Sequence, residues 1–213
     1  MKTITDSKEN IEKTVAERVL SLVSEKPDAA IGFAWGRSLE GVYALLKGSL
    51  DTVKAFSVCE YVGDDCISRR LTEAGIKNLH RPDENAPERY DAEIAAAGGL
   101  DLLLLGVGLN GHIGFNEPAT PYDSRTHIQQ LTDSTRRMKA ADFAGEVPEK
   151  GVTMGLKTIC SAKDIILVAF GEEKADIVHK LVYGRTDTYI PAAMLQLPMN
   201  MTLCLDPEAA AKL

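Results

Sequence analysis

The sequence predicts an α/β fold in which a doubly wound, mainly parallel sheet carries helices on both faces. Short apolar runs alternate along the chain with segments whose apolar residues recur at helical spacing, as in successive βαβ units. Two of the runs, residues 100–107 and 164–170, are largely apolar throughout, which is typical of strands buried on both faces of a parallel sheet. No internal repeat or linker interrupts this pattern, so residues 1–213 are predicted to form a single domain.

The first predicted helix covers residues 10–24, where apolar side chains recur every three or four positions until Pro27 stops the pattern. The next run, residues 29–35, is short and apolar and indicates a buried strand. The same criteria predict helices at residues 39–47, 67–74, 89–97 and 172–181, and strands at residues 53–61, 100–107, 164–170 and 201–205. In such a Rossmann-like sheet, ligands bind outside the carboxyl ends of the strands, so the loops that follow strands are the places to look for a site.

Composition excludes several classes of function. The chain has 213 residues, of which 45% are apolar and 26% charged, and its formal net charge is -7, so it offers no basic field for nucleic acid or for an anionic membrane. Residues 1–12 are charged throughout and do not resemble a signal peptide, and no apolar run approaches the roughly 20 residues of a membrane span. A cytoplasmic location with reduced thiols is therefore expected. The four cysteines, Cys59, Cys66, Cys160 and Cys204, form no CxxC pair, and no metal site is predicted.

The most informative segment is residues 106–118, which read GVGLNGHIGFNEP directly after the most apolar run. Glycines such as Gly108 let the backbone turn sharply and approach a ligand closely. His112 can move a proton near neutral pH, and a carboxylate such as Glu117 can orient it. From spacing alone, a glycine-rich turn with a surface histidine is an equally good interpretation.

A second candidate site is the loop Gly36, Arg37 and Ser38, between the predicted strand 29–35 and the helix after it. Free backbone N–H groups, a positive helix end and a hydroxyl at this place suit a phosphate group, and Arg37 adds a bidentate donor. The alternative is that Ser38 only caps the following helix. Trp35, the one tryptophan of the chain, either narrows this site or packs beside it.

Residues 106–118 resemble the signature of glucosamine-6-phosphate deaminases, in which a buried strand runs into G-[VI]-G-x-D-G-H-I-x-F-N-E-P. The likeness continues over most of the chain, through residues 60–63, 124–126, 131–132, 152–155, 171, 174 and 195–197. Galactosamine-6-phosphate isomerases of the same superfamily are similar around residues 128–129 and 191–192. The related 6-phosphogluconolactonases share the G-x-G-x-D-G-H core but usually continue differently, so Asn116, Glu117 and Pro118 favour the deaminase and isomerase branch.

The resemblance implies a phosphorylated amino sugar as the small-molecule partner, no cofactor, and an enzyme that can form a homo-oligomer. It implies that His112 moves the ring proton with the help of Glu117, and that Lys174 contacts the phosphate. In the family, an aspartate then carries a proton from C2 to C1 of the opened sugar, and the deaminases release ammonia.

Two of the predicted catalytic positions depart from the family pattern. Cys59 stands where the family has the proton-carrying aspartate of D-E-Y-V-G, and a thiol with an ordinary pKa of about 8.5 is mostly protonated at neutral pH. Glu60 is present, but neighbouring residues of a strand point to opposite faces, so it cannot simply replace position 59. Asn110 stands where deaminases have aspartate, and an amide can orient His112 without stabilising its charged form.

Three hypotheses follow from these residues. The first is an amino-sugar phosphate isomerase or deaminase, in which Cys59 is either a catalytic thiol or a small buried apolar residue. The second is a family member with impaired catalysis that binds a sugar phosphate; Cys59, Asn110 and a shortened stretch after Gly63 support it. The third, less favoured because of residues 116–118, is a lactonase-type hydrolase.

Overall fold

The computed structural model describes residues 1–140, 143, 145–198 and 200–213. Within these residues the strands are β1 (Lys2–Thr5), β2 (Ala30–Phe33), β3 (Lys54–Ser57), β4 (Cys59–Tyr61), β5 (Leu79–His80), β6 (Leu102–Gly106), β7 (His127–Gln130), β8 (Lys150–Thr153), β9 (Ile165–Ala169) and β10 (Met201–Leu205). The α-helices are α1 (Lys8–Glu25), α2 (Glu40–Leu46), α3 (Cys66–Glu73), α4 (Pro87–Ala96), α5 (Asp133–Lys139), α6 (Leu156–Cys160) and α7 (Ala175–Tyr183). Short 3-10 helices cover Glu172–Lys174 and Pro191–Gln196.

Seven strands form one sheet in the order β1-β10-β9-β6-β2-β3-β5, and every pairing in it is parallel. This arrangement confirms the predicted α/β fold class. Strands β2, β9 and the apolar part of β6 are fully buried, because both faces of a parallel sheet are covered.

The order of the strands creates one point at which the direction of winding changes. From β2 the chain proceeds to β3 and then β5 on one side, whereas from β6 it proceeds to β9 and β10 on the other. Loops that leave neighbouring strands in opposite directions open a crevice between them, and ligands of open α/β sheets bind there. The carboxyl ends of β2 and β6 therefore mark the position of the candidate site.

The predicted strand at residues 53–61 is wrong as a single element. It divides into β3, which belongs to the main sheet, and β4, which joins β8 and β7 in a separate antiparallel sheet. Val58 connects the two, since its N–H donates to Phe33 O and its carbonyl accepts from Met154 N. The division moves β4 off the main sheet and over the crevice.

The other predicted helices and strands are confirmed, most of them with shifted ends. The elements that were not predicted are β1, β5, β7, β8, α5 and α6. The predicted helix at residues 172–181 begins as a 3-10 turn before α7. Strand β1 escaped prediction because it is a mainly exposed edge strand of four residues, KTIT, with no apolar alternation. In the part of the chain that the structure describes, no helix combines the length and apolar character that crossing a membrane requires.

Candidate active site

A cavity of about 430 Å³ opens at the carboxyl ends of β2 and β6, within the size range of small-molecule sites. One wall is the loop after β2, residues 35–39, and another is the loop after β6, which contributes Gly108 and His112. Cys59 of β4, the end of α5 and the turn that carries Lys174 close the remaining sides. The structure thus brings together most of the residues that the sequence predicted for the site; Asn110 and Glu117 lie behind His112 rather than on the surface of the cavity.

His112 is buried and is the first member of a hydrogen-bonded relay. Its Nδ1 lies 2.7 Å from Asn110 Oδ1, and Asn110 Nδ2 donates to Glu117 Oε2 over 2.8 Å. Because the carboxylate can only accept, it fixes the amide with its oxygen towards the imidazole. Nδ1 therefore carries the hydrogen, and Nε2 keeps a lone pair for a ligand in the cavity.

The far end of this relay is tied to helix α5. Glu117 Oε1 accepts from Thr132 N at 3.1 Å and from Thr132 Oγ1 at 3.2 Å. Thr132 also caps α5, since its hydroxyl accepts from Thr135 N, and Thr135 Oγ1 lies 3.2 Å from His112 Nδ1. The first turn of α5 thus holds both Glu117 and His112 in place.

The electrostatic surroundings keep the imidazole neutral. Burial lowers the pKa of His112 to about 4, and this outweighs the Glu117 carboxylate, which raises it. The nearby cations Lys139 and Lys174 lower the pKa further. At neutral pH, Nε2 of His112 is consequently a proton acceptor.

Gly108 has a steric role beside this ring. A Cβ at Gly108 would lie 2.1 Å from His112 Cε1 and 2.3 Å from Nδ1, closer than real atoms approach. Only glycine therefore leaves room for the imidazole in its observed position. Gly108 also lines the cavity, and the close approach of its backbone to a bound ligand, a sugar phosphate in the resemblance, stays a prediction.

Cys59 and Glu60 are neighbours in β4 with different surroundings, as the alternation of a strand predicts. Cys59 lines the cavity, although its side chain is almost fully buried. Burial raises the pKa of its thiol far above the ordinary value, the Glu60 carboxylate raises it further, and Lys139 lowers it. The thiol is thus protonated at neutral pH.

Glu60 is engaged at the start of α3. Its Oε1 accepts from Tyr61 N and Ile67 N, each at 3.0 Å, and its Oε2 accepts from Ser68 N at 2.7 Å and from the Ser68 hydroxyl. The bonds from Ile67 N and Ser68 N satisfy backbone donors that a helix start leaves without partners. Glu60 therefore does not supply a carboxylate to the cavity in place of position 59.

The loop after β2 contributes Gly36, Arg37 and Ser38 to the cavity. Helix α2 begins at Glu40 and has no side-chain cap, so the alternative interpretation that Ser38 caps it is wrong. The Arg37 side chain is mostly exposed and lies 3.4 Å from Glu173 in an ion pair that solvent weakens. This guanidinium therefore stays available at the rim.

Lys174 is a buried cation at the same end of the cavity. Its Nζ donates to Val107 O at 2.9 Å, and among the described residues it forms no ion pair with a carboxylate. Burial lowers its pKa, against an opposing effect of Glu173. An ammonium group has three donors, so this side chain has further donors for an anion in the cavity.

Sequence reasoning missed Thr132 and Thr135 as parts of the relay, and Met138 and Lys139 as lining residues at the end of α5. Thr132, three residues before Thr135, could have been found as a helix cap. Nothing in the basic run at residues 136–139 distinguishes Lys139 from a solvated surface charge. Among the described residues, no group of three or more His, Cys, Asp or Glu side chains is arranged to hold a metal ion.

Comparisons with known proteins identify the family of the chain. The profile of the family described as glucosamine-6-phosphate isomerases/6-phosphogluconolactonase matches residues 62–204. A glucosamine-6-phosphate deaminase of Halalkalibacterium halodurans is 37% identical over 224 aligned positions, covering 92% of this chain and 91% of its own. One of Thermoanaerobacter sp. is 36% identical and covers 98% and 93%.

Solved structures show the same relationship. A monomeric glucosamine-6-phosphate deaminase superposes with a TM-score of 0.92 at 32% identity, and the superposition covers 100% of both chains. The 6-phosphogluconolactonase of Trypanosoma brucei gives a TM-score of 0.76 at 17% identity, which shows a shared fold. The resemblance seen in the sequence is thereby confirmed: the chain belongs to the glucosamine-6-phosphate isomerase/6-phosphogluconolactonase family.

Proposed function

We propose that the protein binds an amino-hexose 6-phosphate in the cavity and acts on it as an amino-sugar phosphate isomerase or deaminase. The observation that carries this proposal is the relay of His112, Asn110 and Glu117, which presents a neutral imidazole to a cavity at the switch point of the sheet. Relatives at 36–37% identity over more than nine-tenths of the chain are named glucosamine-6-phosphate deaminases, which supports the choice of substrate.

In this proposal the phosphate group binds at the part of the cavity lined by Lys174 and by the loop after β2. Lys174 supplies a buried ammonium there, and Gly36, Arg37 and Ser38 supply backbone donors, a guanidinium and a hydroxyl. Hydrogen bonds to an ionised acceptor are about twice as strong as neutral ones, so a phosphate gains most from the buried cation. Lys139, at the end of α5, adds a second cation to the lining.

His112 is proposed to open the sugar ring. Its Nε2 accepts the proton of the hydroxyl on C1 and returns a proton to the ring oxygen as the bond between C1 and that oxygen breaks. A neutral imidazole can carry out both transfers, because Asn110 holds the tautomer in which Nε2 is free. The product of this step is the open-chain aldehyde, which the aldose–ketose step needs.

Cys59 is proposed to occupy the place of the aspartate that carries the C2 proton in the family. A protonated thiol is a poor acceptor for a proton on carbon, so this step is expected to be slower than it would be with a carboxylate. The same observation supports a second candidate function, a sugar-phosphate-binding protein with impaired catalysis. The two differ in turnover and not in binding.

The test separates these candidates. Purified protein is incubated with glucosamine 6-phosphate and, separately, galactosamine 6-phosphate, and ammonia and ketose phosphate are assayed while the melting temperature is measured with each ligand. Turnover supports the enzyme; a rise in melting temperature without turnover supports the binding protein. If the protein shows neither turnover nor a rise in melting temperature, both candidates are refuted. Hydrolysis of 6-phosphogluconolactone above background would favour the lactonase instead.

A further inference from the structure

Asp206 is a buried carboxylate outside the cavity that the proposed mechanism leaves without a role. It follows β10 directly and is 9% exposed. Both of its oxygens accept from Gly171 N, at 3.0 and 3.1 Å, and Oδ1 also accepts from Ala209 N at 2.8 Å. The side chain therefore joins the end of β10 to the loop that leaves β9.

Gly171 is the residue through which this contact reaches the cavity. It has φ +89° and ψ 153°, a left-handed conformation that side chains rarely adopt, and nothing lies within 4 Å of where its Cβ would be. No neighbouring atom therefore packs against that side of Gly171, and the contact that the structure shows for its N–H is the hydrogen bond to Asp206. Its carbonyl then accepts from Lys174 N at 3.0 Å and starts the 3-10 turn.

The turn ends at the cation of the proposed phosphate site. Lys174 is the third residue after Gly171, and its Nζ reaches Val107 O at the carboxyl end of β6. A side chain with this many rotatable bonds holds one position only if its backbone is fixed, because ordering a free lysine side chain costs conformational entropy. The orientation of the Gly171 peptide therefore determines where the ammonium lies.

We infer that Asp206 is a positioning residue for substrate binding, which acts through Gly171 to hold Lys174 at the phosphate end of the cavity. The inference rests on the proposed function, since it takes Lys174 as a phosphate contact. An ionised acceptor suits this role because a charge-assisted bond to a backbone N–H is stronger than a neutral one. A carboxylate also has enough lone pairs to accept from Gly171 and Ala209 together.

The test is a double-mutant cycle with inorganic phosphate as the probe. Trp35 lines the same cavity and is the one tryptophan in the chain, so its fluorescence reports binding. We expect K174A to weaken phosphate affinity roughly ten- to a hundred-fold, as for loss of a charged hydrogen bond. D206N alone should weaken it about five-fold, and D206N in the K174A background should change it less than two-fold.

Asp101 provides the matched control. It is also a buried aspartate that accepts from a backbone N–H, that of Ala30, but its other partners are Lys26 and Lys163, which do not line the cavity. D101N should lower stability and leave phosphate affinity unchanged. If D101N and D206N weaken affinity equally, the effect of Asp206 is general destabilisation and the inference fails.

Other outcomes are equally decisive. A D206N effect of the same size with and without Lys174, or no effect at all, overturns the inference while the proposed function stands. No effect of K174A removes the phosphate role of Lys174 and the inference with it. If D206N does not fold, G171A tests the same link from the other side: the open space admits the methyl group, and the strained φ should weaken phosphate affinity only when Lys174 is present.

Discussion

Two walls of the same cavity differ in how completely they are equipped for proton transfer. On the wall that follows β6, His112, Asn110 and Glu117 form an unbroken relay that Thr132 completes. On the wall formed by β4, the residue facing the cavity is Cys59, whose thiol is held protonated by burial. The first wall suits transfer between oxygen atoms, whereas the second lacks the carboxylate that removes a proton from carbon in the family.

This difference shows that a carboxylate next to position 59 in the sequence need not be available as a proton acceptor in the cavity. Glu60 is adjacent to Cys59, yet its two oxygens accept from Tyr61 N in β4 and from Ile67 N and Ser68 N at the start of α3. Strand alternation directs adjacent side chains to opposite faces, so a substitution at position 59 is not compensated by position 60. The two halves of the proposed reaction can therefore be changed independently of each other.

The largest expected effect comes from removing the His112 imidazole from the wall that follows β6. H112A should lower turnover of amino-sugar phosphate by about 10²–10⁴-fold, because it removes the group that carries the ring proton. Phosphate affinity, measured by Trp35 fluorescence, should change little. The control is H179A, since His179 is exposed on α7 and lies outside the cavity; equal losses in both variants would show that His112 has no specific role.

A second effect tests whether Glu60 is structural. E60Q should lower the free energy of unfolding by about 2–3 kcal/mol in urea denaturation, because an amide cannot accept all of the bonds that the buried carboxylate accepts. E84Q is the comparison: Glu84 accepts from Gly63 N near the surface, and its loss should cost less than about 1 kcal/mol. A large loss of turnover in E60Q with unchanged stability would instead identify Glu60 as the base.

The sequence was sufficient where local pattern decides the structure. The apolar runs of β6 and β9 and the glycine-rich residues 106–118 located the sheet and the wall that contains His112. The division of residues 53–61 was not predictable in this way, because an apolar run has the same appearance whether its residues belong to one sheet or to two. That division is what places Cys59 over the crevice.

The rest of the candidate site depends on contacts between residues far apart in the chain. His112 meets Thr135 23 positions later, and Lys174 meets Val107 67 positions earlier. Such pairs follow from strand order and helix placement, which periodicity does not specify. The positions of Lys139 and Asp206 were missed for this reason, although each residue type is ordinary where it stands in the sequence.

A third prediction introduces a carboxylate in place of the Cys59 thiol, on the wall formed by β4. C59D should raise aldose–ketose turnover about ten-fold or more. The burial that raises the pKa of the Cys59 thiol would also raise that of a carboxyl group, but the carboxyl starts from an ordinary pKa near 4 and the thiol from about 8.5, so the carboxyl is the more readily ionised proton acceptor. C59N has the size and shape of the C59D side chain without its basicity and should give no gain. A rise in C59N equal to that in C59D would mean that size, and not basicity, limits the step at C2.

The smallest expected effect comes from replacing the Asn110 amide in the wall that follows β6. N110D places a second carboxyl group between Glu117 and Nδ1 of His112, and the pair then shares a proton because two carboxylates this close cannot both ionise. The added negative charge should still raise the pKa of the imidazole above about 4, measured by NMR titration of the ring protons. The acid limb of the pH–rate profile should move up with it, because activity requires the neutral ring.

Stability gives an independent check on the same variant. The folded protein keeps His112 neutral down to about pH 4, whereas an unfolded histidine binds a proton near pH 6.5, so the free energy of unfolding should fall as the pH is lowered through this window. By raising the folded pKa, N110D should narrow the window and reduce the slope within it. If neither the titration nor the slope changes, the Asn110 amide does not determine the charge of His112, and the wall after β6 owes its neutral imidazole to burial alone.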